Sequence, residues 1–141
     1  MISLIVGKRG SGKTKKLIDQ ARETAGNSKG NVVCIEKGSS LRYDLSYQIR
    51  LLDADEYKIS GQDKYYGFIS GLLAGNYDIT DVFCDATFKI LCGKDVKDFE
   101  LLARFVEDLS ALIEPLEVNI TLTISCDPSE LPQRIHGLIQ K

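Results

Sequence analysis

The stretch ISLIVGKRGSGKT, residues 2–14, joins a short apolar run to a glycine-rich loop. Residues 7–14 fit the pattern G-x-x-x-x-G-K-[ST], and a helical pattern follows them. Glycines have no Cβ, so the backbone can curl tightly and point successive N–H groups at phosphate oxygens. The order of strand, loop and helix therefore predicts a loop that holds the phosphates of a nucleotide.

We expect every residue of this loop to contribute to nucleotide binding: Gly7, Lys8, Arg9, Gly10, Ser11, Gly12, Lys13 and Thr14. The Lys13 ammonium suits the β- and γ-phosphates, which also makes it a candidate catalytic residue. The Thr14 hydroxyl is a candidate Mg²⁺ ligand at the start of a helix whose dipole favours anions. The expected ligands are thus Mg²⁺ and a nucleoside triphosphate. ATP is the default choice, since the guanine-reading pattern Asn-Lys-x-Asp is absent from the sequence.

Composition limits the class of protein. With 141 residues, of which 43% are hydrophobic, we expect one domain over residues 1–141. A net charge of −2 gives no broad basic surface, so nucleic acid is not an expected partner. The four cysteines form no C-x-x-C pair, which argues against zinc. Without a leader-like or membrane-spanning stretch, we expect a cytoplasmic protein that does not associate with membranes.

Strand and helix patterns alternate along the chain, which predicts a three-layer α/β domain with a mainly parallel sheet of about five strands. Strands are expected at residues 2–6, 32–35, 49–52 (an edge strand), 81–85 and 118–124. Helices are expected at residues 13–25 and 63–74, from a cap at Asp95 to Pro115, and from a capping box at residues 127–130 toward Gln140. A short helix is expected from Ser39 or Ser40 to Tyr47, and a loop over residues 86–94.

Three glycines repeat at four-residue spacing in the helix expected at residues 63–74: Gly67, Gly71 and Gly75. Glycine inside a helix costs about 1 kcal/mol relative to alanine, so something should approach that face closely. Packing on the sheet is the ordinary reason, and contact with a ligand or partner is the alternative.

Through residues 7–14 the chain resembles the P-loop NTPase superfamily. Those proteins hold their metal with a second carboxylate at the end of an apolar strand, and Asp85 is similarly placed after Val82, Phe83 and Cys84. The resemblance implies that Asp85 is a catalytic residue and, with Thr14, a metal ligand. The alternative is an ordinary loop aspartate.

Residue 86 departs from the pattern of many ATPases in this superfamily, which place a glutamate there to activate water. Alanine cannot take a proton, so vigorous hydrolysis is not expected. Glu36, at the end of the second predicted strand, is a candidate catalytic substitute, because carboxyl ends of parallel strands face the ligand crevice. A solvated loop carboxylate is an equal alternative. Other polar candidates are Ser125 and Thr87, and the arginines considered as charge-stabilising groups are Arg42, Arg50, Arg104 and Arg134.

The chain also resembles small bacterial ATP-binding proteins that consist of a bare P-loop core. It is partly similar to the nucleotide-binding core of thymidine kinases, through Lys37 and Arg42-Tyr43. Three functions follow as hypotheses: an Mg-dependent ATP-binding protein with slow or partner-dependent ATPase activity, a small-molecule kinase of the nucleoside type, and a non-enzymatic nucleotide-binding regulatory module. In the first, a neighbouring subunit or protein partner would complete the site.

Overall fold

A computed structural model describes residues 1–93 and 95–141. The chain begins with strand β1 (Ile2–Gly7), helix α1 (Lys13–Asn27) and strand β2 (Asn31–Glu36). A 3₁₀ helix (Ser40–Tyr43), strand β3 (Ile49–Asp53), helix α2 (Gln62–Gly75) and strand β4 (Ile79–Cys84) follow. The second half holds helix α3 (Thr87–Leu91), helix α4 (Phe99–Ile113), strand β5 (Asn119–Ser125) and 3₁₀ helices at Pro128–Glu130 and Gln133–Leu138.

The five strands form one parallel sheet in the order β1-β5-β4-β2-β3. The expected α/β class and sheet are therefore confirmed, and β3 lies at an edge, as the sequence predicted. The last strand in the chain is inserted between the first strand and β4. This order decides which strand ends become neighbours at the carboxyl edge of the sheet.

Helices cover both faces of the sheet. On one face, Leu17 and Ala21 of α1 pack against Ile5, Cys34 and Phe83. On the other face, α2, α3 and α4 build the larger core, which includes Tyr65, Phe88 and Leu102 from the helices, and Leu4, Val82 and Ile120 from the strands. Side chains alternate along a strand, so successive residues of β1, β2 and β4 enter these two separate clusters. The result is the expected three-layer arrangement.

Several predicted boundaries were wrong. Helix α1 continues through Gly26 to Asn27, and the segment expected as a loop at residues 86–94 contains α3. The prediction for residue 94 lies outside the described residues. Asp95 does not cap α4, because its backbone is left-handed (φ 62°), whereas Asp98 is extended and its side chain accepts a hydrogen bond from Leu101 N.

The C-terminal segment also differs from its prediction. The capping box at Asp127 and Glu130 is present, but it caps a single 3₁₀ turn. Leu131 is extended, as expected for a residue before proline, and Pro132 has no N–H to continue the turn. Residues 133–138 form a second 3₁₀ helix instead of an α-helix. The short helix expected to reach Tyr47 is likewise a 3₁₀ turn that ends at Tyr43.

The α2 glycines do not pack closely on the sheet, so that explanation was wrong. A Cβ built at Gly67, Gly71 or Gly75 would meet no atom within 4 Å among the described residues. The helix buries Tyr65, Ile69 and Leu73, which lie on its other side. In the part of the chain that the structure describes, no helix is both long enough and apolar enough to cross a bilayer.

Candidate functional site

The glycine-rich loop lies at the carboxyl end of β1 and leads directly into α1. Gly10 and Gly12 have φ values of 82° and 90°, which side chains with a Cβ rarely adopt. A Cβ at Gly7 would collide with the side chain of Ser11. The loop therefore needs glycine at these positions for its backbone shape, as the sequence predicted.

The strand order brings two polar strand ends to this loop. Gly7 of β1 pairs in register with Ser125 of β5, and Cys126 N donates to Gly7 O at 3.0 Å. On the other side of β5, Asp85 follows β4, and its N–H donates to Ile35 O at 2.9 Å. The loop, Ser125 and Asp85 thus meet at one edge of the sheet.

Thr14 and Asp85, the two predicted metal ligands, are in direct contact. The Thr14 hydroxyl lies 3.3 Å from each oxygen of the Asp85 carboxylate. Asp85 is only 8% exposed, and its carboxylate also accepts a hydrogen bond from Thr123 Oγ1 at 2.7 Å. Thr123 Oγ1 in turn accepts from Ala86 N at 2.7 Å. The hydroxyl therefore ties the carboxylate and the following peptide to β5.

Thr123 was missed by sequence reasoning. Its signal is the alternation in β5, where Thr121, Thr123 and Ser125 all follow the side-chain period of two and share one face. Alternation alone does not identify the strand beside β4, so the partner of Thr123 depends on a strand order that the sequence did not fix.

The oxygens at this position fit Mg²⁺. Thr14 offers a hydroxyl and Asp85 a carboxylate, both hard oxygen ligands. Among the described residues, no group of three or more His, Cys, Asp or Glu side chains could hold a metal by itself. Mg²⁺ commonly takes one or two protein ligands and completes its shell with water and phosphate oxygens. The pair therefore suits a metal that arrives with a phosphate ligand.

Lys13 is held by the loop itself. Its Nζ donates to Lys8 O at 3.0 Å. Burial lowers the pKa of Lys13, and the nearby Asp85 carboxylate opposes that shift. An ammonium that is partly desolvated and bonded to a backbone carbonyl is well placed to exchange that carbonyl for a phosphate oxygen.

A cavity of about 300 Å³ opens above this group. The described residues that line it form two walls. The first consists of the glycine-rich loop and the ends of β4 and β5, and the second consists of residues between β4 and α4. The lining residues are Arg9, Gly10, Lys13, Thr14, Asp85, Ala86, Phe88, Lys89, Gly93, Asp95, Val96, Lys97, Thr123 and Ser125.

Glu36 is placed away from this cavity. It is 4% exposed, and its carboxylate accepts hydrogen bonds from Ser40 Oγ at 3.0 Å and Leu41 N at 2.9 Å. β2 is separated from β1 by two strands, so the residue at its end fixes the 3₁₀ turn instead of facing the loop. The catalytic role expected of Glu36 stays a prediction that this geometry does not favour.

Most of the remaining predicted groups lie outside the described lining of the cavity. Lys8 reaches Asp127 at 3.8 Å, while Arg9 lines the cavity. Thr87 is fully buried, and its hydroxyl has no hydrogen-bond partner among the described residues. The four arginines considered as charge-stabilising groups are not among the described residues that line the cavity.

No protein-family model matches the chain, and no curated protein matches it with significant similarity.

Proposed function

We propose that this chain is a P-loop protein that binds Mg·ATP and hydrolyses it slowly or only with a partner. One observation carries the proposal: a loop of the pattern G-x-x-x-x-G-K-[ST] ends in Thr14, whose hydroxyl lies 3.3 Å from both oxygens of Asp85. Backbone N–H groups, an ammonium and a helix N-terminus would bind the triphosphate. Thr14 and Asp85 would hold Mg²⁺, which when bound neutralises charge on the phosphates.

Slow hydrolysis follows from the residues beside Asp85. Ala86 has no group that could activate water, and its N–H is already bonded to Thr123. Of the described cavity-lining residues, Asp85 and Asp95 carry carboxylates, and Asp95 is exposed on the second wall. A general base must be fixed within hydrogen-bond reach of the water that it activates. A partner or second subunit could supply such a group, which makes turnover partner-dependent.

Calorimetry with Mg·ATP and a phosphate-release assay test the proposal. We expect the wild-type protein to bind ATP in an Mg²⁺-dependent manner, and the Asp85→Ala variant to lose that dependence. Asp81→Ala, which removes a carboxylate from the same strand at its other end, is the matched control and should bind like wild type. We expect phosphate release slower than about 1 per second, the lower end of common turnover numbers.

Two results would contradict this. Absence of ATP binding by the wild-type protein would overturn the assignment as a nucleotide-binding protein. Turnover by the isolated chain at ordinary enzyme rates would show that a base is present. The proposal that hydrolysis is slow or needs a partner would then be wrong. Binding with no turnover under any oligomeric or partner condition would favour a regulatory module.

A small-molecule kinase is the second candidate, because the cavity continues past the loop onto the apolar side chains of Phe88 and Val96. Phosphates do not need such a wall, but an acceptor molecule could use it. The residues behind the thymidine kinase likeness give no support: Lys37 pairs with Asp55, and the Arg42 guanidinium lies 5.7 Å from the Tyr43 ring centroid. Transfer of phosphate from ATP to any member of a panel of nucleosides and small alcohols would favour the kinase.

A further inference from the structure

The second wall of the cavity begins at the residue after Asp85. It includes Phe88 and Lys89 from α3, and Val96 and Lys97 from the residues before α4. It shares the cavity with Asp85, the proposed metal ligand, so it borders the metal side of the proposed site. In the proposed nucleotide complex, which this inference requires, that side receives the terminal phosphate.

The cavity carries an excess of positive charge. Its described lining contains four cations, Arg9, Lys13, Lys89 and Lys97, and the two carboxylates named above. Asp85 is already bonded to Thr14 and Thr123. Cations that face one cavity repel one another unless an anion lies between them. The arrangement therefore favours an anion with several negative oxygens.

Lys97 stands out among these cations by its position. It directly precedes Asp98, the cap of α4, so its backbone is anchored to a helix whose Leu102 and Phe105 are fully buried. Burial is the main cause of the lowered pKa of Lys13, and the charge of Lys97 adds to that lowering. Burial also raises the pKa of the Cys126 thiol to about 11, while Lys97 opposes that rise. The Lys97 charge therefore acts across the cavity on the loop and on the end of β5.

Unlike Arg9, the four arginines considered as charge-stabilising groups lie outside the described lining and offer no comparable group. Arg134 is bonded to Glu100 and Glu107, and Arg42 to Ser39. Arg50 lies on the edge strand β3 and Arg104 is exposed on α4. In contrast, none of the ion pairs within the described part of the chain uses Lys97.

We infer that Lys97 binds the γ-phosphate of ATP, so that the chain supplies this charge itself and does not borrow an arginine from a neighbour. A lysine in this position stabilises negative charge on the terminal phosphoryl oxygens. It also distinguishes ATP from ADP, because ADP lacks the phosphate that the ammonium contacts.

The test is the ratio of ATP to ADP affinity, measured by calorimetry with Mg²⁺ for the wild-type protein and for Lys97→Met. We expect the variant to lose at least about tenfold in ATP affinity and less than about threefold in ADP affinity, as one charge-assisted contact would give. Lys97→Arg should keep most of the ATP affinity. Lys29→Met, an exposed lysine in the loop before β2, is the matched control and should change neither affinity.

Equal weakening of ATP and ADP, or no change in either, would overturn the assignment of Lys97. If the wild-type protein bound neither nucleotide, the proposed function itself would fail. Failure of the Lys97 assignment and failure of the proposed function therefore give different results. Lys97 is exposed, so the variant is expected to fold, and an unchanged thermal transition confirms this.

Discussion

Two short hydrogen bonds make the Thr123 hydroxyl a bridge between β5 and the end of β4. Replacing it with the isosteric valine would leave Ala86 N without its acceptor and Asp85 without the shorter of its two hydroxyl contacts. An unsatisfied buried polar group costs about 1–3 kcal/mol, so we expect Thr123→Val to lower the free energy of unfolding by that amount. Urea denaturation measures this change in the free energy of unfolding. Thr121→Val, on the same face of β5, is the control. An equal loss of free energy of unfolding in both variants would contradict the bridging role of Thr123.

Ala86 has a left-handed backbone, with φ 52° and ψ 54°. This conformation is unfavourable for residues with a Cβ by about 1–2 kcal/mol, while glycine adopts it freely. After the higher chain entropy of unfolded glycine is subtracted, we expect Ala86→Gly to stabilise the protein by about 0.5–1 kcal/mol. Ala111→Gly, at an exposed site inside α4, is the control and should lower the free energy of unfolding. Urea denaturation measures both variants, and destabilisation by Ala86→Gly as well would contradict the strain at Ala86.

How much of the site the sequence predicts differs from residue to residue. Lys13, Thr14 and the loop glycines follow from local pattern, because the candidate loop is built from consecutive residues. Thr123 bonds to Ala86 and Asp85, which lie 37 and 38 residues away in the sequence, and no local pattern reveals such partners. Lys97 lies on the second wall of the cavity, and its proposed role likewise has no local signature. Glu36 shows the converse limit, and its catalytic role stays a prediction that the geometry does not favour. It does lie at a strand end, but the strand order separates that end from the loop.

At the scale of elements, α2 carries three glycines for which packing gives no reason. Gly71 is exposed, and a Cβ there would meet nothing within 4 Å. We therefore expect Gly71→Ala to raise the free energy of unfolding by about 1 kcal/mol, since alanine fixes the helix more readily. Thermal or urea denaturation measures this gain.

Gly61, at the N-terminal cap of α2, provides the contrast. Its φ of 92° is unfavourable for alanine, so Gly61→Ala should destabilise although the space around it is equally open. A loss of stability in Gly71→Ala would show that the exposed glycine face contacts something in solution.

The elements that the sequence predicted well are those with long or distinctive patterns. The apolar runs of β1, β2 and β4 and the periodicity of α4 identified their types, because these strands bury side chains on both faces of the sheet and α4 buries one face. Helix α3 has five residues, too few for a helical period to appear, although it buries Phe88, Ile90 and Leu91. The C-terminal segment looked helical from its capping box, which specifies where a turn starts but not how long it continues.

At the scale of the whole molecule, Arg134 joins the C-terminal 3₁₀ helix to α4 through Glu100 and Glu107, at 2.8–3.0 Å. Hydrogen bonding to Arg134 lowers the pKa of Glu100 in the folded protein. Its stabilising effect is therefore present above the unfolded value of about 4.3 and is lost as the pH falls through the lower folded value. We therefore expect the free energy of unfolding of Arg134→Gln, measured by denaturation at a series of acid pH values, to depend less on pH than that of the wild-type protein. Arg22→Gln, an exposed arginine of α1, should leave this pH dependence unchanged.

The chain returns at its C-terminus to cover the edge of the strand that carries the glycine-rich loop. Ile139 forms a parallel bridge with Leu4, and Gln140 N donates to Leu4 O at 2.8 Å. The Gln140 side chain also bonds to Ser3 and Gln20. An uncovered strand edge exposes unpaired backbone groups that can pair with another chain. The end of the chain therefore protects β1 on the side away from β5.

Two substitutions at Gln140 separate the backbone contact from the side chain. Ile139 has φ −67° and ψ 130°, which suits a residue before proline, so Gln140→Pro removes the N–H donor together with the side-chain amide. It leaves the carbonyl of fully buried Leu4 unpaired, and we expect a loss of about 1–3 kcal/mol in the free energy of unfolding. Gln140→Ala keeps the N–H and should lose less. Urea denaturation and sedimentation at several concentrations measure both effects. Equal stability of the two variants, with no self-association of Gln140→Pro, would show that the β1 edge needs no cover.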